Sequence, residues 1–280
     1  SFNKEKLDER VLKFFNIKSR KKVDLAPWKK ITHSVLNNKN KVNIAIIGKY
    51  VELKDAYKSL DEALTHGGIA NNLKVNLVRI ESDHLKPKDV KDKLKDVSAI
   101  LIPGGFGKRG TEGKIAAITY ARKNNIPFLG ICFGMQMAII EFARNKLNIK
   151  KASSSEFGPS KASVVGLMSE WIKDGKKIKG TDKDLGGTMR LGGYEAKLKK
   201  GSLINKIYNS TRINERHRHR YEVNINFKDE FEKKGMIFSG LSPDSKLPEI
   251  IELENHPWFI GVQFHPEFKS RPLAPHPLFS

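Results

Sequence analysis

From residue 41 to about residue 145 the sequence switches repeatedly between two periodicities, and that switching constrains the fold more than any other feature. KVNIAIIGKY (41–50) is a short, nearly continuous apolar run of strand type, and AYKSLDEALTHGGIANN (56–72) has helical spacing that ends on glycines. KVNLVRIES (74–82), VSAILIPGG (97–105) and IPFLGIC (126–132) read as further strands, with helical segments at TEGKIAAITYARKNN (111–125) and FGMQMAIIEFARNKL (133–147). Strands that alternate with helices pair in parallel, because each crossover helix carries the chain back along a face of the sheet. The expected fold is therefore a three-layer α/β domain with a mostly parallel central sheet and flanking helices. Its active site should lie at the carboxyl ends of the strands, where VSAILIPGG and IPFLGIC both end in glycines or run into one.

Composition narrows the class. A chain of 280 residues can bury a substantial core, and 39% hydrophobic with 30% charged residues fits a soluble globular protein. No apolar run is long enough to span a membrane. The N-terminal SFNKEKLDERVLKFF lacks the apolar stretch and cleavage site of a secretory signal, so a cytoplasmic location is expected. One cysteine excludes an intrachain disulfide and a multi-thiolate zinc site, and no metal is expected in the domain. The net charge of +21 invites a nucleic-acid reading, but the lysines are scattered along the chain and interleaved with acids, which describes a solvated surface. Neither nucleic acid nor membrane is expected as a partner.

Residues 1–40 read differently from the rest: an amphipathic helix around LDERVLKFF, the basic stretch KSRKK (18–22), then a helix start marked by Asp24 and Pro27. They form a tail and linker before a domain over 41–280. Beyond residue 150 the helical signal fades into polar, glycine-bearing segments. Near the end EIIELE and WFIGVQF, separated by NHP, read as a β-hairpin.

The only cysteine sits where strand passes directly into helix, in Gly130-Ile131-Cys132-Phe133-Gly134. This G-x-C-x-G arrangement fits a nucleophile elbow, whose glycines permit close backbone approach. A helix N-terminus there would favour a thiolate, and the Phe133 amide would point where an oxyanion forms. A buried, inert cysteine fits the local sequence equally well. His265 ends the apolar run GVQF, and Glu267 lies two residues on, so strand-like geometry can put the carboxylate behind the imidazole. Cysteine, histidine and glutamate together make a catalytic relay. PGGFGKRG (103–110) raises a different class, because Gly105, Gly107 and Gly110 satisfy G-x-G-x-x-G between a strand and a helix. The next strand lacks the ribose-binding acid of a dinucleotide site. The alternative use of these glycines is to offer a backbone N–H to developing negative charge, with Gly105 as the second oxyanion donor.

PGGFG, GICFGMQ and FHPEF together resemble the class I (triad) glutamine amidotransferases, whose domain is a flavodoxin-like α/β sandwich. SSSEF, GGTMRLGG, ERHRHRYEVN, NHPWFIGVQFHPEFKSRP and the upstream DLAPWKK narrow the resemblance to the CTP synthase family. The resemblance implies that Cys132 attacks the side-chain amide of L-glutamine, that His265 moves the proton and that Glu267 orients His265. It implies a glutamine site lined by Gly105, Phe133, Gly134, Met135 and Gln136, with Glu156 on the α-ammonium and Arg220 on the α-carboxylate. Arg190 falls in the segment that the family associates with GTP, its allosteric activator. In that family the ammonia passes to an N-terminal amidoligase domain that binds ATP, UTP and magnesium, and the full-length enzyme is a homotetramer. No G-x-x-x-x-G-K-[ST] match occurs in this chain. Residues 1–40 resemble the end of the amidoligase and its linker, so the chain reads as the glutaminase part of such an enzyme, expected to hydrolyse glutamine weakly alone and to make no CTP. Other readings are another triad amidotransferase, a γ-glutamyl hydrolase, a dinucleotide-binding domain, or a noncatalytic regulatory module.

Overall fold

The computed structural model describes residues 2–19, 23–51, 53–159, 162–167, 170–173, 176–179 and 189–280. Lys21 and its neighbours in the basic stretch, and Gly186 to Thr188 of GGTMRLGG, lie outside the described residues. The chain divides into two compact units, 1–37 and 38–280. The first holds two helices, α1 (Leu7–Phe14) and α2 (Ala26–Asn37). The α2 entry is the one read from Asp24, whose carboxylate accepts a hydrogen bond from the Ala26 amide at 2.8 Å.

The second unit opens with the alternation read from sequence: β1 (Lys41–Gly48), α3 (Lys58–Ala70), β2 (Lys74–Glu81), α4 (Val90–Leu94), β3 (Ala99–Ile102), α5 (Thr111–Lys123), β4 (Phe128–Ile131) and α6 (Phe133–Asn145). The short strands β5 (Ser153–Ser154) and β6 (Ser163–Leu167), the two-stranded β7 (Glu170–Lys173) and β8 (Lys176–Lys179), and β9 (Arg190–Leu198) follow. The chain continues through α7 (Leu203–Tyr208), β10 (Arg212–His219), β11 (Tyr221–Val223), α8 (Lys228–Glu232), β12 (Met236–Leu241), β13 (Pro248–Leu253) and β14 (Phe259–Val262). Nine strands form the central sheet in the order β10-β9-β12-β13-β14-β4-β3-β1-β2. From β2 to β14 neighbours run parallel, whereas from β14 to β10 they run antiparallel. The pair β13–β14 is the hairpin expected around NHP.

The parallel strands are apolar on both sides, and successive residues feed opposite layers. Ile100 and Ile102 of β3 join a cluster with Ile115, Ile118, Ile139 and Phe142 of α5 and α6, while Leu101 joins Leu60 and Leu64 of α3 on the other face. In α3 the buried residues Leu60, Ala63, Leu64, Gly67 and Gly68 recur at helical spacing, one stripe against the sheet. Helix α6 differs, because every residue from Phe133 to Ala143 is buried. It is a central helix whose first turn is fixed on all sides. Each fully buried Leu or Ile side chain in these layers contributes about 1.5–3 kcal/mol.

Strand β10 shows what ERHRHR becomes when folded. Burial alternates strictly along it: Ile213, Glu215, His217 and His219 point inward, and Arg212, Asn214, Arg216 and Arg218 point out. Among the described residues no helix is long and apolar enough to cross a membrane.

Candidate active site

Four adjacent parallel strands, β1, β3, β4 and β14, each deliver a polar or glycine-bearing segment at the same carboxyl edge. Lys49 follows β1, Pro103-Gly104-Gly105 follows β3, Cys132 follows β4, and His265 with Glu267 follows β14. Sheet topology thus brings together residues up to 218 positions apart, Lys49 and Glu267, without any loop having to reach far.

Cys132 is the residue between β4 and α6, with φ 52° and ψ −102°. A positive φ at a residue carrying a side chain costs on the order of 1–3 kcal/mol and persists only where the surroundings over-determine it. Here the Cys132 amide donates to the Val262 carbonyl at 2.6 Å, and the Cys132 carbonyl accepts from the Gln136 amide at 3.2 Å as the first bond of α6. Gly134 permits the close approach that the turn requires: a Cβ at that position would lie 2.1 Å from the Ile102 carbonyl oxygen. The elbow therefore holds the thiol at the N-terminal end of a buried helix, where the partial positive charge of the helix favours an anion.

His265 stands against Cys132 from β14. Its Nδ1 is 2.7 Å from Glu267 Oε1, and the imidazole is hydrogen-bonded to Cys132 as well. Burial works against a charged imidazole, but the contacts with Cys132 and Glu267 outweigh it and raise the His265 pKa to about 10. His265 thus holds a proton at neutral pH, the form that pairs with a thiolate and can later protonate a leaving amine. Phe268 stacks on the ring at 5.2 Å, and Gly104 leaves the space that the ring occupies, since a Cβ there would be 2.7 Å from His265 Cε1.

In front of this pair lies a cavity of about 650 Å³ lined by Gly104, Gly105, Cys132, Gln136, Glu156, Arg220 and His265, among others. Glu156 Oε1 accepts a hydrogen bond from the Gly107 amide at 2.6 Å. Burial raises the Glu156 pKa, which the Gly107 amide and Lys49 only partly offset, so a ligand cation would relieve a desolvated carboxylate. The half-buried Arg220 guanidinium faces the same cavity. Gly134 and Met135 are not on its wall: Gly134 packs on Ile102, and Met135 is fully buried against Gly261. Helix geometry explains the placement of the side chains, because the α6 face that carries Cys132 returns four residues later at Gln136 and not at the positions between, which leaves the backbone of Gly134 and Met135 as the part able to serve a ligand. Phe133 is also 1% exposed, its ring edge-on to Phe157, which leaves its backbone as the part able to serve a ligand.

The geometry also places the glycine loop and Arg190. In the glycine loop the Phe106 and Gly107 carbonyls accept from the Lys49 ammonium, while the Gly107 amide is spent on Glu156. The loop is thus held from within, and the Gly107 amide, one of the three glycine amides of the G-x-G-x-x-G pattern, is engaged by a carboxylate where a dinucleotide site would offer it to a pyrophosphate. Arg190 is 3% exposed and pairs with Glu222 at 3.1 Å and Glu249 at 2.8 Å, with its guanidinium over the Tyr194 ring. It faces two carboxylates inside the domain, so the guanidinium itself is engaged within the fold. Sequence reasoning missed Lys49 and Gln263. The amide of Gln263, whose Nε2 is 3.7 Å from Cys132 Sγ, was hidden in an apolar run. The rule that polar residues inside a buried strand need a partner would have singled it out.

A nucleophile elbow with a histidine, a carboxylate behind it and a cavity that also presents a carboxylate and a guanidinium is the arrangement of the thiol-dependent amidases of the triad type. Residues 52–280 match the family described as glutamine amidotransferase class-I, and the chain belongs to that family. Within it, the chain is 76% identical over 280 residues to the CTP synthase of Pelagibacter ubique and 56% identical over 282 residues to that of Zymomonas mobilis, in each case covering all of this chain and 52% of the relative. The chain spans about half the length of these curated relatives. Among solved structures, a Trypanosoma brucei CTPS glutaminase domain with bound acivicin superposes with a TM-score of 0.76 at 35% identity, over 85% of this chain and 90% of that one.

Proposed function

We propose that this domain hydrolyses L-glutamine to glutamate and ammonia through a cysteinyl thioester. The observation that carries the proposal is the hydrogen-bonded row Cys132, His265 and Glu267 at the floor of a cavity whose wall also presents one carboxylate and one guanidinium. Glu156 and Arg220 are suited to the α-ammonium and α-carboxylate of the amino acid, and the side-chain amide then extends toward Cys132. The Cys132 sulfur adds to the amide carbon, and the oxyanion meets the backbone amides of Gly105 and Phe133. Collapse of that adduct breaks the C–N bond while His265 gives its proton to the departing ammonia. Water, deprotonated by the now neutral His265, then attacks the thioester, which releases glutamate and returns the proton to the imidazole. Glu267 keeps the imidazole ring oriented throughout.

The likeness to CTP synthases supports a place for this chain as the glutaminase part of a longer cytoplasmic enzyme of pyrimidine nucleotide biosynthesis, a homotetramer whose amidoligase domain uses the ammonia to convert UTP to CTP. ATP and magnesium belong to that other domain, and GTP acts on the enzyme as activator; we assign none of them to residues of this chain. The test is mass spectrometry after incubation with a diazo-ketone analogue of glutamine. Stoichiometric labelling at Cys132 that excess glutamine prevents supports the reading, and an unlabelled Cys132 in folded protein refutes it.

A further inference from the structure

Behind the cavity, a row of hydrogen bonds runs from the main chain after β10 to the sulfur. Gln136 Nε2 lies 2.8 Å from the Tyr221 carbonyl and 3.2 Å from Gln263 Oε1, and Gln263 Nε2 lies 3.7 Å from Cys132 Sγ. The two amides could each be written either way round, but the Tyr221 carbonyl decides for both. A carbonyl oxygen can only accept, so the Gln136 group facing it is the NH₂. That NH₂ has two hydrogens, and the second points at Gln263, which must answer with its oxygen. The remaining end of Gln263, facing the sulfur, is therefore its NH₂. Both side chains are out of solvent, Gln263 at 0% and Gln136 at 2% exposure, so water does not compete for these bonds. The Tyr221 carbonyl is itself fixed by a second donor, His219 Nδ1 at 3.2 Å.

We propose that Gln263 is a further catalytic contact of this site, donating an N–H to the Cys132 sulfur from a different residue than His265 and stabilising the thiolate until it attacks. The inference rests on the reading of Cys132 as the nucleophile. An N–H stabilises a thiolate more than a thiol, because hydrogen bonds to charged groups are the stronger ones. Without this donor the thiolate would depend on His265 and the helix end alone, and His265 must give its proton to the leaving nitrogen during the reaction. Gln263 has no proton to give up and can keep its hold on sulfur through that step, and again when the thioester is cleaved and sulfur departs as the thiolate.

The chain has a single cysteine, so alkylation by iodoacetamide reads Cys132 alone. In Gln263→Met, which fills nearly the same space without a donor, the midpoint of the alkylation rate against pH should move up by about one unit, and kcat for glutamine should fall about tenfold with KM nearly unchanged. Gln263→Asn, which keeps an amide but shortens its reach, should shift the midpoint in the same direction and serves where the Met variant does not fold. A folded variant that alkylates along the wild-type pH profile overturns the inference, as does a loss confined to KM or to thermal stability. A wild-type Cys132 that excess glutamine does not protect from alkylation would instead refute the nucleophile reading itself, and this inference would fall with it.

Discussion

The two halves of the central sheet both bury polar side chains, but of the buried charged cluster beside the antiparallel half only His219 reaches the cavity. In the parallel half, Lys49, Cys132 and His265 converge on strand ends at the edge of the sheet, and the last two line the cavity together with Glu156, which follows β5 outside that sheet. Beside the antiparallel half, Arg190, His217, His219 and Glu249 of its strands and Glu222 of β11 are all buried and engage one another. His217 Nδ1 lies 2.9 Å from His219 Nε2, and Arg190 bridges the two glutamates. Burial pushes both histidines well down in pKa and both glutamates up, so the closed cluster is as electrostatically perturbed as the open one. A perturbed group is therefore a poor pointer to chemistry by itself, and what separates the halves is the access of a ligand to the perturbed groups. The closed cluster supports the site from behind, through His219 and the Tyr221 carbonyl.

Paired substitutions separate the cavity residues from the buried cluster. Cys132→Ala should lower glutamine hydrolysis by at least about a thousandfold while the unfolding midpoint in urea stays near that of the wild type, because a small buried side chain is exchanged for a smaller one. Arg190→Met should do the reverse in kind. Removing the cation leaves two buried carboxylates facing each other, so the unfolding free energy should drop by about 3–5 kcal/mol, read in the same urea titration. A variant at Arg190 that loses activity with unchanged stability would erase the distinction between the halves. Glu156→Gln is expected to raise the KM for glutamine by about ten- to a hundredfold with a smaller change in kcat, since it removes the charge suited to the α-ammonium. The smallest effect is a pH dependence. The native state holds His219 neutral, whereas the unfolded chain protonates it near pH 6.5, so as pH falls below that value the unfolded state binds the extra proton and stability is lost. Between pH 6.5 and 4.5 the wild type should lose about 1.4 kcal/mol per pH unit more than His219→Gln, measured as the difference between their unfolding free energies.

How far the sequence could be read also divides at β14. The strands and helices of the parallel half announce themselves because β1, β3 and β4 are buried on both faces and their helices repeat at 3.6 residues. The elbow and the His-Pro-Glu spacing were legible for the same reason: each sits where an apolar run stops. Strand β10 was not legible as a buried strand, since its inward face carries Glu215, His217 and His219 and hydropathy alternation is silent when both faces are polar. Arg190 could be placed only by the family resemblance, because a sequence does not show that Glu222 and Glu249, 32 and 59 residues away, close around it. Gly134 and Met135 enter the glutamine site through the family resemblance, and what a sequence does not show is that the turn of the helix directs their side chains into the core.

The central claim is that the thiol of Cys132 forms a bond to the substrate. Rapid acid quench of the enzyme during turnover of isotopically labelled glutamine, followed by digestion and mass spectrometry, tests this directly. The account predicts one labelled glutamyl group on the peptide that contains Cys132, absent from Cys132→Ala. Turnover by the wild type with no such adduct, together with undiminished turnover by Cys132→Ala, would contradict it.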